Sequence, residues 1–180
     1  QIKMQNILLL YSSTDGQTKL ICERIQESSK KKDLFKLVNI DDVEKENINN
    51  YNYVIIGASI RYGKHNKKVF KFIEKYKNEL NQKKTAFFSV NVVARKSDKN
   101  TPETNPYIIK FLKKTNWRPN KTAVFAGKID YPNYTFIDKH IIRLIMYITD
   151  GPTDLSKTYE FTDWNRVDQF AKEISNINDY

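Results

Sequence analysis

Asn6-Ile7-Leu8-Leu9-Leu10-Tyr11-Ser12-Ser13-Thr14-Asp15-Gly16-Gln17-Thr18 decides how the rest of the chain is read. Ile7 to Tyr11 is an unbroken apolar run, the pattern of a strand buried on both faces, and such strands belong to parallel sheets covered by helices. Ser12 to Gln17 turn the chain, after which Leu20, Ile21 and Ile25 have the spacing of an amphipathic helix. A strand, a hydroxyl-rich turn and a helix in succession aim hydroxyls and backbone N–H groups at a helix N-terminus, where an anion is favoured. A single phosphate is the natural guest, because the chain carries neither G-x-G-x-x-G for a dinucleotide nor G-x-x-x-x-G-K-[ST] for a triphosphate. The same residue types also form turns and helix caps in proteins that bind nothing.

Outward from this stretch, strands and helices alternate. Leu34 to Val38, Tyr53 to Gly57, Thr85 to Val90 and Thr122 to Gly127 read as four more strands. Val69, Phe72, Ile73, Tyr76 and Leu80 fall on one face of a single helix, and Tyr107, Ile108, Phe111 and Leu112 mark another. After Gly127 the alternation lapses until Thr158 to Phe161, a short strand. Thr162 or Asp163 then caps a final helix with Val167, Phe170, Ala171 and Ile174 as its buried stripe. The expected fold is α/β: a doubly wound, five-stranded parallel sheet in the order 2-1-3-4-5, within a single domain over residues 5–177. An insertion at about residues 130–156 is expected to interrupt the fifth strand. In that order the ends of strands one and three flank the switch point where ligands sit. The loop Gly57-Ala58-Ser59-Ile60-Arg61-Tyr62-Gly63 would meet the first loop there, joined by Ser89-Val90-Asn91 from strand four.

The chain has 180 residues, enough for one domain that buries about 70% of its unfolded surface without help from a disulfide or cofactor. Its single cysteine, Cys22, cannot form an intrachain disulfide, which fits a reducing, cytosolic setting. Gln1-Ile2-Lys3-Met4-Gln5 lacks the apolar core of a signal peptide, and Met4 is a candidate native start. The 31 Lys+Arg against 21 Asp+Glu give a net charge of +10. That excess favours an anionic partner, whether nucleic acid, anionic lipid or an acidic small molecule. Many of the lysines fall at predicted helix ends, where a solvated face explains them equally well. No metal site is expected, and the oligomeric state stays open, a homo-oligomer included.

Ser12-Ser13-Thr14-Asp15-Gly16-Gln17-Thr18 resembles the phosphate loop of flavodoxins, in which hydroxyls and main-chain amides bind FMN. That resemblance makes the fold flavodoxin-like and assigns Ser12, Ser13, Thr14, Asp15, Gly16, Gln17, Thr18, Ser59, Ile60, Arg61, Tyr62, Gly63, Ser89, Val90, Asn91 and Gly127 to the cofactor. Tyr62 and Asn91 would lie near the isoalloxazine. A narrower resemblance joins these loops with Ser89 to Lys96, Asn116-Trp117-Arg118-Pro119 and Thr162-Asp163-Trp164. Over nearly the whole chain it is similar to the bacterial menaquinone-dependent protoporphyrinogen IX dehydrogenases. Departures fall at Ser13-Thr14, where Thr-Arg is expected, and at Lys64-His65-Asn66-Lys67, and neither removes the phosphate donors. The resemblance implies FMN, protoporphyrinogen IX as substrate, menaquinone or ubiquinone as acceptor, and no nucleic-acid partner. It also implies a cytoplasmic protein held peripherally on the cytoplasmic face of the inner membrane.

The insertion suits that chemistry. Ile137, Ile141, Leu144, Ile145 and Ile148 line one side of a helix, with Ile142 and Met146 widening the stripe and Asp138, Lys139 and Arg143 on the other side. The stretch is too short and too charged to span a bilayer, which takes about 20 apolar residues. It either packs on its own domain or lies on a membrane interface. By the resemblance it borders the flavin, where Tyr131 and Tyr134 become substrate candidates. Arg61, Arg95 and Arg118 are candidates for the two propionates, against the alternative of ordinary surface arginines. The catalytic residues are unknown: the chemistry belongs to FMN, and His65 and His140 are read as solvated surface histidines. An electron-transfer flavodoxin, an NAD(P)H:quinone oxidoreductase and a basic nucleic-acid-binding module are the rival readings.

Overall fold

The computed structural model describes residues 6–176. The readings of Gln1 to Gln5 and the outermost expected bounds at residues 5 and 177 lie outside the described residues. The apolar run becomes β1 (Ile7–Ser12), followed by α1 (Gln17–Ser28), β2 (Phe35–Asn39), β3 (Tyr53–Arg61) and β4 (Lys64–His65). Next come α2 (Lys67–Lys75), α3 (Lys77–Asn81), β5 (Lys84–Val90), α4 (Pro106–Thr115) and β6 (Lys121–Phe125). The chain ends through β7 (Lys128–Asp130), α5 (Phe136–Ile148), β8 (Thr158–Glu160) and α6 (Trp164–Asn176).

Five strands pair in parallel in the order β2-β1-β3-β5-β6, and β4 folds back antiparallel on the end of β3. This is the expected order once the two-residue β4 is set aside. Alternate residues of the central strands feed opposite faces, as a pleated strand requires. Ile7 and Leu9 pack with Ile21, Ile25, Val167 and Phe170 of α1 and α6, whereas Leu8 and Leu10 face the side covered by α2, α3 and α4. Burial on both faces explains why β1 has no polar alternation, and each such leucine contributes roughly 1.5–3 kcal/mol by leaving water. Gly57 stands opposite Phe88 across β3 and β5, and a Cβ there would fall 2.2 Å from the Phe88 ring. Only glycine admits that ring.

Two local expectations change. The helix read through Leu80 breaks at Tyr76, which leaves helical geometry (φ −110°, ψ 23°) with its ring packed 5.0 Å from that of Phe72. Leu80 is still buried, now from α3. The fifth strand pairs with the main sheet only to Phe125, and the stems of the insertion, β7 and β8, pair with each other in a separate two-stranded ribbon. Ile129, Tyr131 and Met146 make a small core for this unit. Asp163 caps α6, accepting from the N–H groups of Asn165 and Arg166.

Candidate functional site

The C-terminal ends of β1, β3, β5 and β6 open into a cavity of about 540 Å³. One wall is the loop from β1 to α1. Gly16 sits at φ 89°, a left-handed conformation that glycine adopts without a steric penalty, and Ser13 Oγ accepts from its N–H at 2.9 Å. Thr14 Oγ1 and Ser59 Oγ lie 3.4 Å apart across the gap between the first two loops. Helix α1 starts without a side-chain cap and without an acidic residue in its first turn, so no side chain of the helix or its cap accepts from its terminal N–H groups.

Thr18 is fully buried, and its hydroxyl has no hydrogen-bond partner; the same holds for Oε1 of buried Gln17. A buried polar atom left unpaired costs roughly 1–3 kcal/mol, so two at one helix N-terminus mark a loop shaped for a polar guest. Gln17 Nε2 donates to Thr162 Oγ1 at 2.9 Å, and Thr162 donates to the Ala126 carbonyl at 2.7 Å. These bonds fasten the first loop to the end of β6.

The second wall begins at Ser59. Tyr62 (φ 50°) and Gly63 (φ 72°) form the two-residue turn of the β3–β4 hairpin, which needs positive φ at both positions. The turn leaves the Tyr62 ring exposed at the cavity mouth, with the Arg61 guanidinium 5.3 Å from its centre. Asn91 lines the cavity, yet its amide is fully engaged. It donates to Ser89 Oγ at 3.0 Å, exchanges hydrogen bonds with the Asn105 side chain, and accepts from the Ala94 N–H. Ser89 also meets His65 Nε2 at 2.8 Å. His65 is therefore no surface histidine: it is buried against Phe87 and Phe111, and desolvation pulls its pKa down to about 4. The Tyr62-Gly63 turn was the available signal, since a hairpin there returns His65 to the sheet. His140 is exposed.

The third wall is the insertion. Ile142, Ile145 and Met146 of α5 face the cavity with half-buried Tyr134, whose phenol is pushed up to about 12, chiefly by burial. Asp138 in the first turn of α5 takes a hydrogen bond from Arg61 Nη2 at 3.0 Å. The rest of the apolar stripe turns outward: Phe136, Ile137, Leu144, Tyr147 and Ile148 are all exposed. Packing on its own domain thus accounts for only one narrow face of α5.

The structure brings Thr14, Asp15, Gln17, Ser59, Ile60, Arg61, Tyr62, Gly63, Val90, Asn91, Gly127 and Tyr134 to the cavity wall, while Ser12, Ser13, Gly16, Thr18 and Ser89 do not line it. Three substrate candidates are placed otherwise. Arg118 lies before β6, at the opposite end of the sheet, and donates to the carbonyls of Leu112 and Trp117 at the end of α4. Arg95 donates to the Thr149 carbonyl and hydroxyl at 2.8 and 3.2 Å, closing the C-terminus of α5, and burial lowers its pKa. Tyr131 is buried in the insertion core and donates to the Pro152 carbonyl at 2.7 Å. Sequence reasoning also passed over Asn105 and the tie from Gln17 to Thr162, which no local pattern signals. Asp138 was read only as part of the polar side of α5.

Residues 8–156 match the family described as Flavodoxin domain. The protoporphyrinogen IX dehydrogenase [quinone] of Escherichia coli (strain K12) is 42% identical over 173 residues, 96% of each chain. The protein of that name from Leishmania major is 42% identical over 170 residues, 93% of this chain and 74% of its own. A solved flavodoxin from the domain Archaea superposes with a TM-score of 0.53 at 15% identity, over 96% of this chain and 98% of that one. The phosphate-type loop, the parallel order around it and these matches agree: the chain belongs to the flavodoxin-domain family and, within it, to the protoporphyrinogen IX dehydrogenases [quinone].

Proposed function

We propose that this chain binds FMN in the cavity at its strand ends and oxidises protoporphyrinogen IX to protoporphyrin IX, passing the electrons to a membrane quinone, menaquinone or ubiquinone. The observation that carries the reading is the pairing of two unlike walls on one cavity. Thr14, Asp15 and Gln17 of the loop into α1 line one part, with the unpartnered Thr18 Oγ1 and Gln17 Oε1 buried at that helix N-terminus, and the apolar side chains of Ile142, Ile145 and Met146 line another. A carrier that only exchanges electrons with proteins needs the first wall and not the second.

The donor set fits FMN. Thr14, Thr18 and the N–H groups at the start of α1 would hold the phosphate, and Ser59 to Gly63, Val90, Asn91 and Gly127 would border the rest of the cofactor. Bound FMN supplies two-electron redox chemistry, so the six-electron oxidation of one porphyrinogen takes three rounds. The protein's part is to place the flat substrate on the apolar wall, exclude water there and fix its orientation through Arg61 and Tyr134. Residues 5–177 act as one domain in this reading, with residues 130–156 as the substrate-side insertion.

Among the described residues no helix is long and apolar enough to cross a membrane. The outward face of α5 would instead lie in the interface of the inner membrane's cytoplasmic leaflet, where quinone is reached, aided by the net charge of +10. The test is anaerobic turnover of protoporphyrinogen IX by FMN-loaded protein, followed by porphyrin fluorescence with and without a soluble quinone. Quinone-dependent porphyrin formation supports the reading. Tight FMN binding without porphyrin above the uncatalysed rate removes it in favour of an electron carrier or a nicotinamide-dependent reductase.

A further inference from the structure

Arg61 and Asp138 come from different units, the β3–β4 hairpin and the first turn of α5, and meet over the cavity that both line. Their contact is a single Nη2–Oδ2 hydrogen bond of 3.0 Å, with 55% of the Arg61 side chain still exposed. A guanidinium carries five donors in a planar fork suited to a carboxylate, and this contact engages one edge of it. Lys64 stands opposite Arg61 in the hairpin, so two cations share this corner, and among the described residues Asp138 is the carboxylate paired with Arg61. The Asp138 side chain is only 13% exposed, held where an incoming anion must meet it.

We propose that Asp138 is a specificity-determining residue, a carboxylate of the protein that occupies Arg61 in place of a carboxylate of the substrate. This rests on the reading of the cavity as a porphyrinogen site. A substrate bearing carboxylates takes over the guanidinium and displaces Asp138, and a neutral analogue has nothing to exchange. The guanidinium side of the pair is open to solvent and held by one hydrogen bond, which leaves it free to exchange partners. Displacement also frees the N-terminal end of α5, because Asp138 joins it to the hairpin, while Arg95 continues to hold the C-terminal end through Thr149. Filling the cavity and loosening one end of its apolar wall become the same event.

The test uses FMN-loaded protein and two probes, protoporphyrin IX and its dimethyl ester, with dissociation constants read from porphyrin fluorescence. Asp138→Asn keeps the size of the side chain and removes the competing charge. It should bind the diacid about threefold to fivefold more tightly, leaving the ester and FMN affinity unchanged. In an Arg61→Gln background the same substitution should do nothing to either probe. Hydrogen exchange of the backbone around residues 136–142 should quicken on adding the diacid to wild type, and not on adding the ester. Asp138→Asn binding the diacid as wild type does, or more weakly, with the ester still bound, overturns the exchange and leaves the porphyrin site standing. Failure of wild type to bind either probe overturns both.

Discussion

Lowering the pH from 7.5 to 5 should cost the folded protein about 2 kcal/mol through His65 alone. In the unfolded chain this imidazole titrates near 6.5, and in the folded protein burial beside Phe87 and Phe111 brings it to about 4. Between those values the unfolded state binds a proton that the native state refuses, so stability falls as the pH drops. Above 6.5 the ring is neutral in both states and the native advantage is complete. Below 4 it is charged in both, and the loss levels off at about 3 kcal/mol. Carboxylates such as Asp168 and Glu173, which hydrogen bonds from Arg24 and Lys121 hold below their ordinary range, add their own losses mostly beneath this window.

The assay is urea unfolding at half-unit steps from pH 5 to 7.5, on wild type and His65→Gln. The variant keeps a polar group near Ser89 and cannot titrate. Its stability should vary less with pH than that of wild type, the gap reaching about 2 kcal/mol at pH 5 relative to 7.5. Because Ser89 links His65 to Asn91 on the cavity wall, FMN affinity should weaken more steeply over the same interval in wild type than in the variant, the FMN phosphate itself titrating in both. Parallel pH profiles for the two proteins would refute the assignment of His65 as a buried neutral ring.

Thr18→Val should act with opposite signs on two measurements. FMN affinity, followed by flavin fluorescence, should drop about fivefold to tenfold with one phosphate donor gone, whereas the flavin-free protein should hold or gain stability, since an unpartnered buried hydroxyl is removed. Gly57→Ala should destabilise by about 1–3 kcal/mol or more in urea, because the new methyl would fall 2.2 Å from the Phe88 ring between two paired strands. Replacing Phe136, Leu144 and Ile148 together by serine should lower binding to vesicles containing phosphatidylglycerol at least tenfold, leaving FMN affinity alone. Equal sedimentation with vesicles by both proteins would remove the membrane role of α5.

What could be read from the sequence divides by the range of the forces involved. Ile7 to Tyr11 announced a central strand because burial on both faces leaves a local mark, and the spacing of Val167, Phe170, Ala171 and Ile174 announced α6 in the same way. The loop from Ser12 to Thr18 was legible because its turn chemistry is local. Arginines are different. Nothing in the neighbourhood of Arg61, Arg95 or Arg118 along the chain says which carbonyl or carboxylate each will find. Two of the three found helix ends, where unpaired carbonyls attract any nearby cation.

The amphipathic helix shows the same limit in another form. The stripe Ile137, Ile141, Leu144, Ile145 and Ile148 was correct as a stripe, but periodicity reports that a face is apolar, not what it meets. In the structure the residues read as widening it, Ile142 and Met146, turn toward the protein, and most of the main stripe turns to solvent. A helix that only covered a core would bury its strongest face and expose its weakest. Here the weaker face lines the cavity and the stronger one is left over, so α5 has two apolar jobs of different size. A substrate wall needs only the narrow face; the wide one is the face that the proposed membrane contact would use, and the vesicle assay on the triple serine variant decides between that contact and none.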